Sequence, residues 1–272
     1  MVEQDRVAVE AVAKVRADVA KVAELVADRL AKDGRLVYFG AGTSGRLGVL
    51  DASEIPPTFR ADPRQVQGVI AGGREAVFVA QEGAEDSPEG GAAAVDSLEL
   101  GDDDVAFGIA AGGTTPFVRG ALDRAKERGA ATVFLACVPP GEGQAMADFE
   151  IRPITGPEVV TGSTRLKAGT ATKLVLNQIT TTAMVLLGKT HGNLMVDLRA
   201  SNAKLVDRAT RLVATLCNVD APTARGLLDA AGGHVKAAVV MRARGCSFDE
   251  AVARLDKADG RLRAALDKDD AR

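Results

Sequence analysis

Short apolar runs, each ending in a loop rich in glycine, threonine or proline, constrain the fold of this chain most. They lie at Leu36–Phe39, Val66–Ile70, Val105–Ala111 and Thr132–Val138. The stretches between them have helical character, and buried strands that alternate with helices are typical of a parallel sheet with helices on both faces. A fifth run, Phe149–Ile154, contains Pro153 and therefore suits an edge strand. The pattern predicts an α/β fold built on a five-stranded parallel sheet.

Helical periodicity accounts for most of the remaining chain. Apolar residues at steps of three and four predict one long first helix through Val12 and Leu30, ended by Gly34. Further helices are predicted from Ser163 or Thr164 to Leu187, over Ser201–Leu216, over Phe117–Arg128, and as three or four short helices within Ala221–Leu266. We therefore predict a ligand-binding α/β domain over residues 1–210 and a small helical subdomain over residues 211–272.

Composition argues against several classes of protein. The net charge of -3 gives no basic field for nucleic acid, and aromatic residues make up only 3%, too few to stack bases. The cysteines Cys137, Cys217 and Cys246 share no metal-ligand spacing. No apolar run approaches the roughly 20 residues that cross a bilayer, and the charged first residues lack a secretory signal. We expect a cytoplasmic protein without a metal, a nucleic-acid partner or a membrane partner.

The first strand opens into the segment Gly40-Ala41-Gly42-Thr43-Ser44-Gly45-Arg46. Backbone N–H groups and hydroxyls at a helix N-terminus bind anions, and Arg46 offers a charged two-pronged donor. The spacing of the three glycines also matches the dinucleotide fingerprint, so spacing alone leaves a nucleotide open. Against NAD, the next strand ends near Ile70 and no acid follows to hold a ribose. We predict an anion site.

Two acidic segments are candidates for proton transfer. Pro56 disfavours helix at Ile55, so we expect the helix after the glycine loop to end near Glu54. A carboxylate at a helix C-terminus faces the negative end of the dipole, which favours its protonated form and suits a general acid. The alternative for Glu54 is a solvated acid. The segment Gln81–Ser87 holds three acids, which could act as a base, bind metal or be solvated; no histidine lies near to support a metal.

A second candidate anion site lies at Thr161–Thr170, where hydroxyls accompany Arg165 and Lys167 at a predicted helix start. The helix dipole disfavours positive charge at that end, so the basic residues indicate a compensating anion or partner. The alternative is a capped helix with a solvated basic first turn. Taken together, the residues predict a phosphorylated small molecule held by loops of glycine, serine and threonine, with acids nearby.

These segments resemble the N-acetylmuramic acid 6-phosphate etherases, which contain a sugar isomerase-type domain. The matches are GAGTSGRLGVLDASEIPPTF (40–59), EGAEDS (82–87), GPEVVTGSTRLKAGTATKLVLNQ (156–178) and GNLMVDLRASNAKL (192–205). The likeness covers almost the whole chain, and the helical tail looks like a ubiquitin-associated-type bundle. The resemblance implies an enzyme that cleaves the D-lactyl ether at C3 of the sugar, giving N-acetylglucosamine 6-phosphate and D-lactate.

The resemblance also implies roles for particular residues. A base removes the C2 proton of the open-chain aldehyde, an acid protonates the departing lactate oxygen, and water adds to the unsaturated aldehyde, without a metal or redox cofactor. The family's proton donor falls on Glu54 and its second acid/base on Glu85. Contacts with phosphate and sugar fall on Thr43, Ser44, Arg46, Thr115, Ser163 and Lys167. A homodimer with sites near the subunit interface is implied.

Two departures from the family pattern keep other functions open. The family's Ser-Gly-Arg-Thr-Pro loop is replaced by Gly112-Gly113-Thr114-Thr115-Pro116, which removes a hydroxyl and an arginine, and the polar segment before the first helix is short. One lost charge-assisted hydrogen bond costs about 1.5–3 kcal/mol. The alternatives are therefore a non-catalytic sugar-phosphate sensor and an aldose–ketose isomerase acting on an amino-sugar phosphate.

Overall fold

A parallel sheet in the order β2-β1-β3-β4-β5 organises the chain, whose computed structural model describes residues 1–141, 144–198 and 203–267. The strands are β1 (Leu36–Gly40), β2 (Val66–Ile70), β3 (Val105–Ile109), β4 (Ala131–Leu135) and β5 (Phe149–Ile151). The predicted α/β fold is confirmed, and the fifth strand lies at an edge. β3 and β4 end earlier than predicted, before the polar loops begin.

The register of the strands brings the predicted site loops to one edge of the sheet. Gly40, the last residue of β1, lies beside Ile70 of β2 and Ile109 of β3. β1 and β3 are buried along their whole length, as expected for central strands covered on both faces. Because all strands are parallel, the loops after β1, β2 and β3 leave from neighbouring positions at their carboxyl ends, where such sheets bind ligands.

Helices surround the sheet and continue beyond it. They are α1 (Val2–Lys14), α2 (Arg16–Ala31), α3 (Gly42–Phe59), α4 (Pro88–Ser97), α5 (Pro116–Glu127), α6 (Lys167–Leu186), α7 (Ala203–Cys217), α8 (Ala221–Ala230), α9 (Val235–Arg244), α10 (Phe248–Lys257) and α11 (Leu262–Leu266). Phe39 and Phe134 share a core with Phe117 of α5. On the opposite face Tyr38 packs edge-on against Phe107, with ring centroids 5.3 Å apart. Helices therefore cover both faces, as predicted.

Several predicted helix boundaries were wrong. The first helix breaks at Val15, whose φ of -101° and ψ of 12° leave the helical region. Helix α6 begins at Lys167, after Ser163 and Thr164, which lie in turns. Helix α7 begins at Ala203; the predicted start at residue 201 falls outside the described residues.

The expected end of α3 near Glu54 is also wrong, because α3 continues through Pro56 and Pro57 to Phe59. Ile55 and Phe59, one turn apart, are both buried, so packing keeps the last turn helical despite the prolines. The prolines still remove two N–H donors from this turn.

Contacts divide the chain into two compact units, Met1–Glu54 with Asp62–Ala183, and Ile55–Ala61 with Met184–Arg272. The sheet belongs to the first unit. In the second, the ammonium of Lys236 is buried and donates to Asp197 and to the carbonyls of Gly188 and Gly260. The four short helices α8 to α11 confirm the predicted helical tail, while the proposed division at residue 210 stays a prediction.

Candidate functional site

The glycine segment after β1 is a tight strand-to-helix turn, because α3 already begins at Gly42. Gly42 has a φ of 50°, a conformation that favours glycine. A Cβ at Gly40 would lie 2.7 Å from the backbone nitrogen of Gly45, so Gly40 and Gly45 permit the strand end and the helix start to pack closely. Thr43 and Ser44 consequently lie in the first turn of α3, where backbone N–H groups lack helical partners. This turn is suited to an anion.

A cavity of about 180 Å³ opens beside the start of α3. It is lined by Ala41, Gly42, Arg46, Ala71, Ala76, Ala80, Gln81, Glu82, Gly83, Ala84 and Glu85. Glu85 lies in a 3-10 turn, Ala84–Asp86, and its side chain is exposed. The structure thus brings two predicted site residues, Arg46 and Glu85, to one cavity.

Arg46 is already engaged by the protein itself. Its Nε donates to the carbonyl of Val77 and its Nη2 to the carbonyl of Ala76, both at 2.8 Å. These carbonyls belong to the 3-10 turn Arg74–Val77, which follows β2. The guanidinium therefore ties the segment after β2 to helix α3.

Thr115 lies at the start of α5, after the strand next to β1. It occupies the N-cap position, but its side chain makes no capping hydrogen bond. Pro116 follows at the first helical position, where a missing N–H costs nothing. The Thr115 hydroxyl is therefore available to a ligand at the same edge of the sheet as Thr43 and Ser44.

The predicted second anion site is occupied by an acid of the same chain. The carboxylate of Glu158 accepts hydrogen bonds from the backbone N–H groups of Lys167 and Ala168, both at 3.0 Å. Glu158 therefore supplies a negative charge at the start of α6. The ammonium of Lys167 donates to the amide oxygen of Gln4 at 2.8 Å, and this lysine is only 3% exposed.

The starts of α3 and α6 nevertheless lie side by side. A Cβ added to Gly169, in the first turn of α6, would lie 3.7 Å from the methyl group of Thr43. Ser163, in the turn before α6, is half-buried, and its carbonyl accepts from the N–H of Leu166. The two predicted anion segments are therefore neighbours in space, although only that of α3 opens on the cavity.

Glu54 lies apart from the cavity along α3. It is eight residues beyond Arg46, which corresponds to about 12 Å along a helix axis. Its side chain is exposed, and helical spacing puts it on the face that carries Thr43 and Leu50. The structure does not bring Glu54 and Glu85 together at this cavity.

A buried polar network was missed at the level of sequence. The carboxylate of Asp51, 4% exposed, accepts from the hydroxyl of Tyr38 at 2.9 Å, the amide of Asn177 at 2.6 Å and the hydroxyl of Thr180 at 3.2 Å. Burial raises the pKa of the Asp51 carboxyl above its ordinary 3.8, although the three donors oppose this. Burial, followed by the Asp51 charge, also raises the pKa of Tyr38 well above 10.

The network joins β1, α3 and α6 one helical turn before Glu54. The signal that could have found it is Tyr38, the single tyrosine of the chain, in a predicted buried strand. A buried tyrosine hydroxyl usually needs a hydrogen-bond partner, and Asp51 follows on the next helix.

Among the residues that the structure describes, no three histidine, cysteine or acidic side chains are grouped so that they could hold a metal ion. Within residues 1–141, 144–198 and 203–267, no helix has the length and apolar character to cross a membrane.

Comparisons with known proteins show a similar domain and a similar fold. The glucokinase regulatory protein N-terminal SIS domain matches residues 18–126. A putative phosphosugar isomerase involved in capsule formation from Bacteroides fragilis has the same fold, with a TM-score of 0.51 at 18% identity over 66% of this chain and 86% of its own.

Relatives of known name are far closer in sequence. N-acetylmuramic acid 6-phosphate etherase of Synechococcus sp. (strain CC9605) is 53% identical over 97% of this chain and 84% of its own length. The enzyme of that name from Mycolicibacterium smegmatis is 50% identical over 98% of this chain and 89% of its own. At this identity and coverage, the chain belongs to the N-acetylmuramic acid 6-phosphate etherase family.

Proposed function

We propose that this chain cleaves the D-lactyl ether of N-acetylmuramic acid 6-phosphate with water, giving N-acetylglucosamine 6-phosphate and D-lactate. The observation that carries the proposal is the cavity at the start of α3, which combines an open helix N-terminus with Glu85. Family membership supports an enzyme and a sugar-phosphate ligand. Since its substrate carries a phosphate ester, we place its action in the cytoplasm.

The phosphate would bind at the first turn of α3. The hydroxyls of Thr43 and Ser44 and the N–H groups of that turn offer donors, and the positive end of the helix dipole favours an anion there. Thr115 and Ser163 would contribute further hydroxyls from neighbouring loops. Lys167, buried against Gln4, would support α6 instead of contacting the ligand.

The reaction would proceed by elimination and hydration. Glu85 removes the C2 proton of the open-chain aldehyde, whose carbonyl delocalises the resulting charge. The C3–O bond then breaks, and Glu54, reaching the cavity from a second copy of the chain, donates a proton to the departing lactate oxygen. Water then adds its oxygen to C3 of the unsaturated aldehyde and gives a proton to Glu54, while Glu85 returns its proton to C2. This gives N-acetylglucosamine 6-phosphate and restores both carboxyl groups to their starting protonation. Each proton transfer contributes about 10²–10⁴ in rate.

We also propose that two copies pair through the face of α3 that carries Glu54. Leu50, one turn before Glu54, is 49% exposed on the same face of α3, and covering it would remove apolar surface from water. Pairing would cover Leu50 and bring Glu54 to the cavity of the second copy. Light scattering at micromolar concentration would return the mass of a dimer; a monomer would end this part of the proposal.

The decisive experiment measures D-lactate release from N-acetylmuramic acid 6-phosphate. We expect release by the parent and a loss of about 10²–10⁴ in Glu54→Gln and in Glu85→Gln. Glu82→Gln is the matched control, because Glu82 lines the same cavity, and it should retain most activity. No release by the parent would overturn the proposal.

A sugar-phosphate sensor is the second candidate, favoured by the Gly112 to Thr115 loop, which lacks the family's arginine and serine. A sensor would bind N-acetylmuramic acid 6-phosphate in a calorimeter and leave it intact. An isomerase would instead convert an amino-sugar phosphate into a ketose without forming lactate. Product analysis of the same reaction mixture separates all three functions.

A further inference from the structure

Arg46 holds two consecutive carbonyls with one planar group. Its Nε and Nη2 each lie 2.8 Å from an oxygen, that of Val77 and that of Ala76. Two parallel N–H donors in fixed geometry match two such acceptors, which a lysine ammonium cannot reproduce. The side chain is half-buried beside the cavity.

The segment that Arg46 holds has few other anchors. Between Gly72 and Asp86 the backbone hydrogen bonds of the described structure are local, such as Phe78 N–H to Glu75 and Asp86 N–H to Gly83. Ala76 is buried and Ala84 packs against the sheet core, but Phe78 is 75% and Val79 62% exposed, so apolar packing is weak between these two alanines. The Arg46 guanidinium supplies two hydrogen bonds from outside the segment, to the carbonyls of Val77 and Ala76.

This segment carries Glu85 to the cavity. It leaves the end of β2, passes through the turn that Arg46 holds, and forms the cavity wall from Ala80 to Glu85. The position of the Glu85 carboxylate relative to the start of α3 therefore depends both on the core contact of Ala84 and on how firmly Arg46 holds the preceding turn. A displacement of about 1 Å in a reacting group can cost about a hundred-fold in rate.

We propose that Arg46 is a positioning residue that fixes the Glu85-bearing segment over the start of α3, and not the charge partner of the phosphate. The inference rests on the proposed function for its kinetic consequence, whereas its structural content stands without it. The phosphate is left to the hydroxyls and N–H groups of the α3 turn.

Arg46→Lys and Arg46→Gln separate the two roles, with Arg74→Gln as control because Arg74 is exposed on the same turn. Lysine keeps the positive charge but loses the two parallel N–H donors of the guanidinium. We expect kcat for D-lactate release to fall about a hundred-fold in both variants, with KM within about threefold of the parent. Hydrogen exchange at residues 76–86 should accelerate at least about tenfold in both variants and stay unchanged in the control.

The opposite pattern overturns the inference. A phosphate ligand at Arg46 predicts a KM raised by about tenfold or more in Arg46→Gln, near-parental kinetics in Arg46→Lys and unchanged hydrogen exchange. If the parent releases no D-lactate, the proposed function fails, and the exchange experiment alone decides whether Arg46 positions the segment. Unchanged exchange in both variants then rejects the inference.

Discussion

Helices α3 and α6 begin side by side with similar residues, yet their N-termini are used differently. Both helix starts have glycine and hydroxyl residues nearby and a basic side chain, Arg46 just after the first turn of α3 and Lys167 at the first position of α6. At α6 the chain's own Glu158 accepts from two backbone N–H groups. At α3, among the described residues, no carboxylate accepts a hydrogen bond from the first turn, and a cavity opens there instead.

The difference shows that an anion site and a self-capped helix can share one sequence pattern. Four N–H groups at each helix N-terminus need acceptors, whatever supplies them. The acid that closes α6 lies nine residues before Lys167, outside the turn that it caps. Of these two helix starts, α3 is therefore the one left open to a ligand, because no acid in the described part of the chain accepts from its first turn.

Giving α3 an acid of its own is the strongest test of this comparison. In Ser44→Asp the new carboxylate would occupy the N–H groups and repel a phosphate. Like charges brought together cost several kcal/mol, so we expect KM for N-acetylmuramic acid 6-phosphate to rise about a thousand-fold. Ser44→Asn, with the same shape and no charge, should raise it far less. Equal effects of the two substitutions in steady-state kinetics would show that charge at this turn is irrelevant.

The second test addresses the network that joins the two helices behind their N-termini. Asp51 of α3 accepts from Asn177 and Thr180 of α6 and from Tyr38 of β1. Asp51→Asn leaves one oxygen for three donors, so we expect a loss of about 2–3 kcal/mol in the free energy of unfolding. Urea unfolding followed by the fluorescence of Tyr38, the only tyrosine, reports on this unit. An unchanged midpoint would mean that the network is not stabilising.

The difference in unfolding free energy between the parent and Asp51→Asn should depend on pH with a definite sign. The pKa of Asp51 is 3.8 in the unfolded reference and is raised in the folded chain, mainly by burial. Between the two values the unfolded chain ionises first, so a rise in pH favours unfolding. The contribution of this carboxyl is full below pH 3.8 and is lost as pH rises through the folded pKa. The parent-minus-variant difference in unfolding free energy should therefore shrink with rising pH; growth would contradict the raised pKa.

The sheet could be predicted from sequence because its evidence is local. Apolar runs such as Val66–Ile70 end at polar loops, and their alternation with helical stretches indicates parallel strands. The end of α3 could not be predicted from sequence. Ile55 and Phe59 keep its last turn helical through tertiary burial, and this burial outweighs the helix-breaking effect of the prolines. The partner of the Lys167 ammonium is Gln4, too distant in the chain for any motif to indicate.

At α6, removing the internal acid should reduce stability without weakening phosphate binding. Glu158→Gln keeps one acceptor oxygen but loses the charge and one N–H partner. We expect the free energy of unfolding to fall by about 1–2 kcal/mol, measured through Tyr38 fluorescence in urea, with KM within about threefold of the parent. Glu10→Gln, exposed on α1, is the control. A large rise in KM would mean that α6 takes part in ligand binding and that the two helix starts are not distinct.

The smallest effect concerns the basic residue that first pointed to an anion at α6. Arg165 is exposed just before the helix, where the dipole opposes positive charge by about 0.3–1 kcal/mol at low salt. With Glu158 present the acid offsets this cost, so Arg165→Gln should leave stability nearly unchanged. In the Glu158→Gln background the same substitution should stabilise the chain, because the offsetting charge is gone. A double-mutant cycle at low salt measures the coupling. A coupling of zero would mean that Glu158 acts only through its two hydrogen bonds, and that the positive charge before α6 did not require an anion.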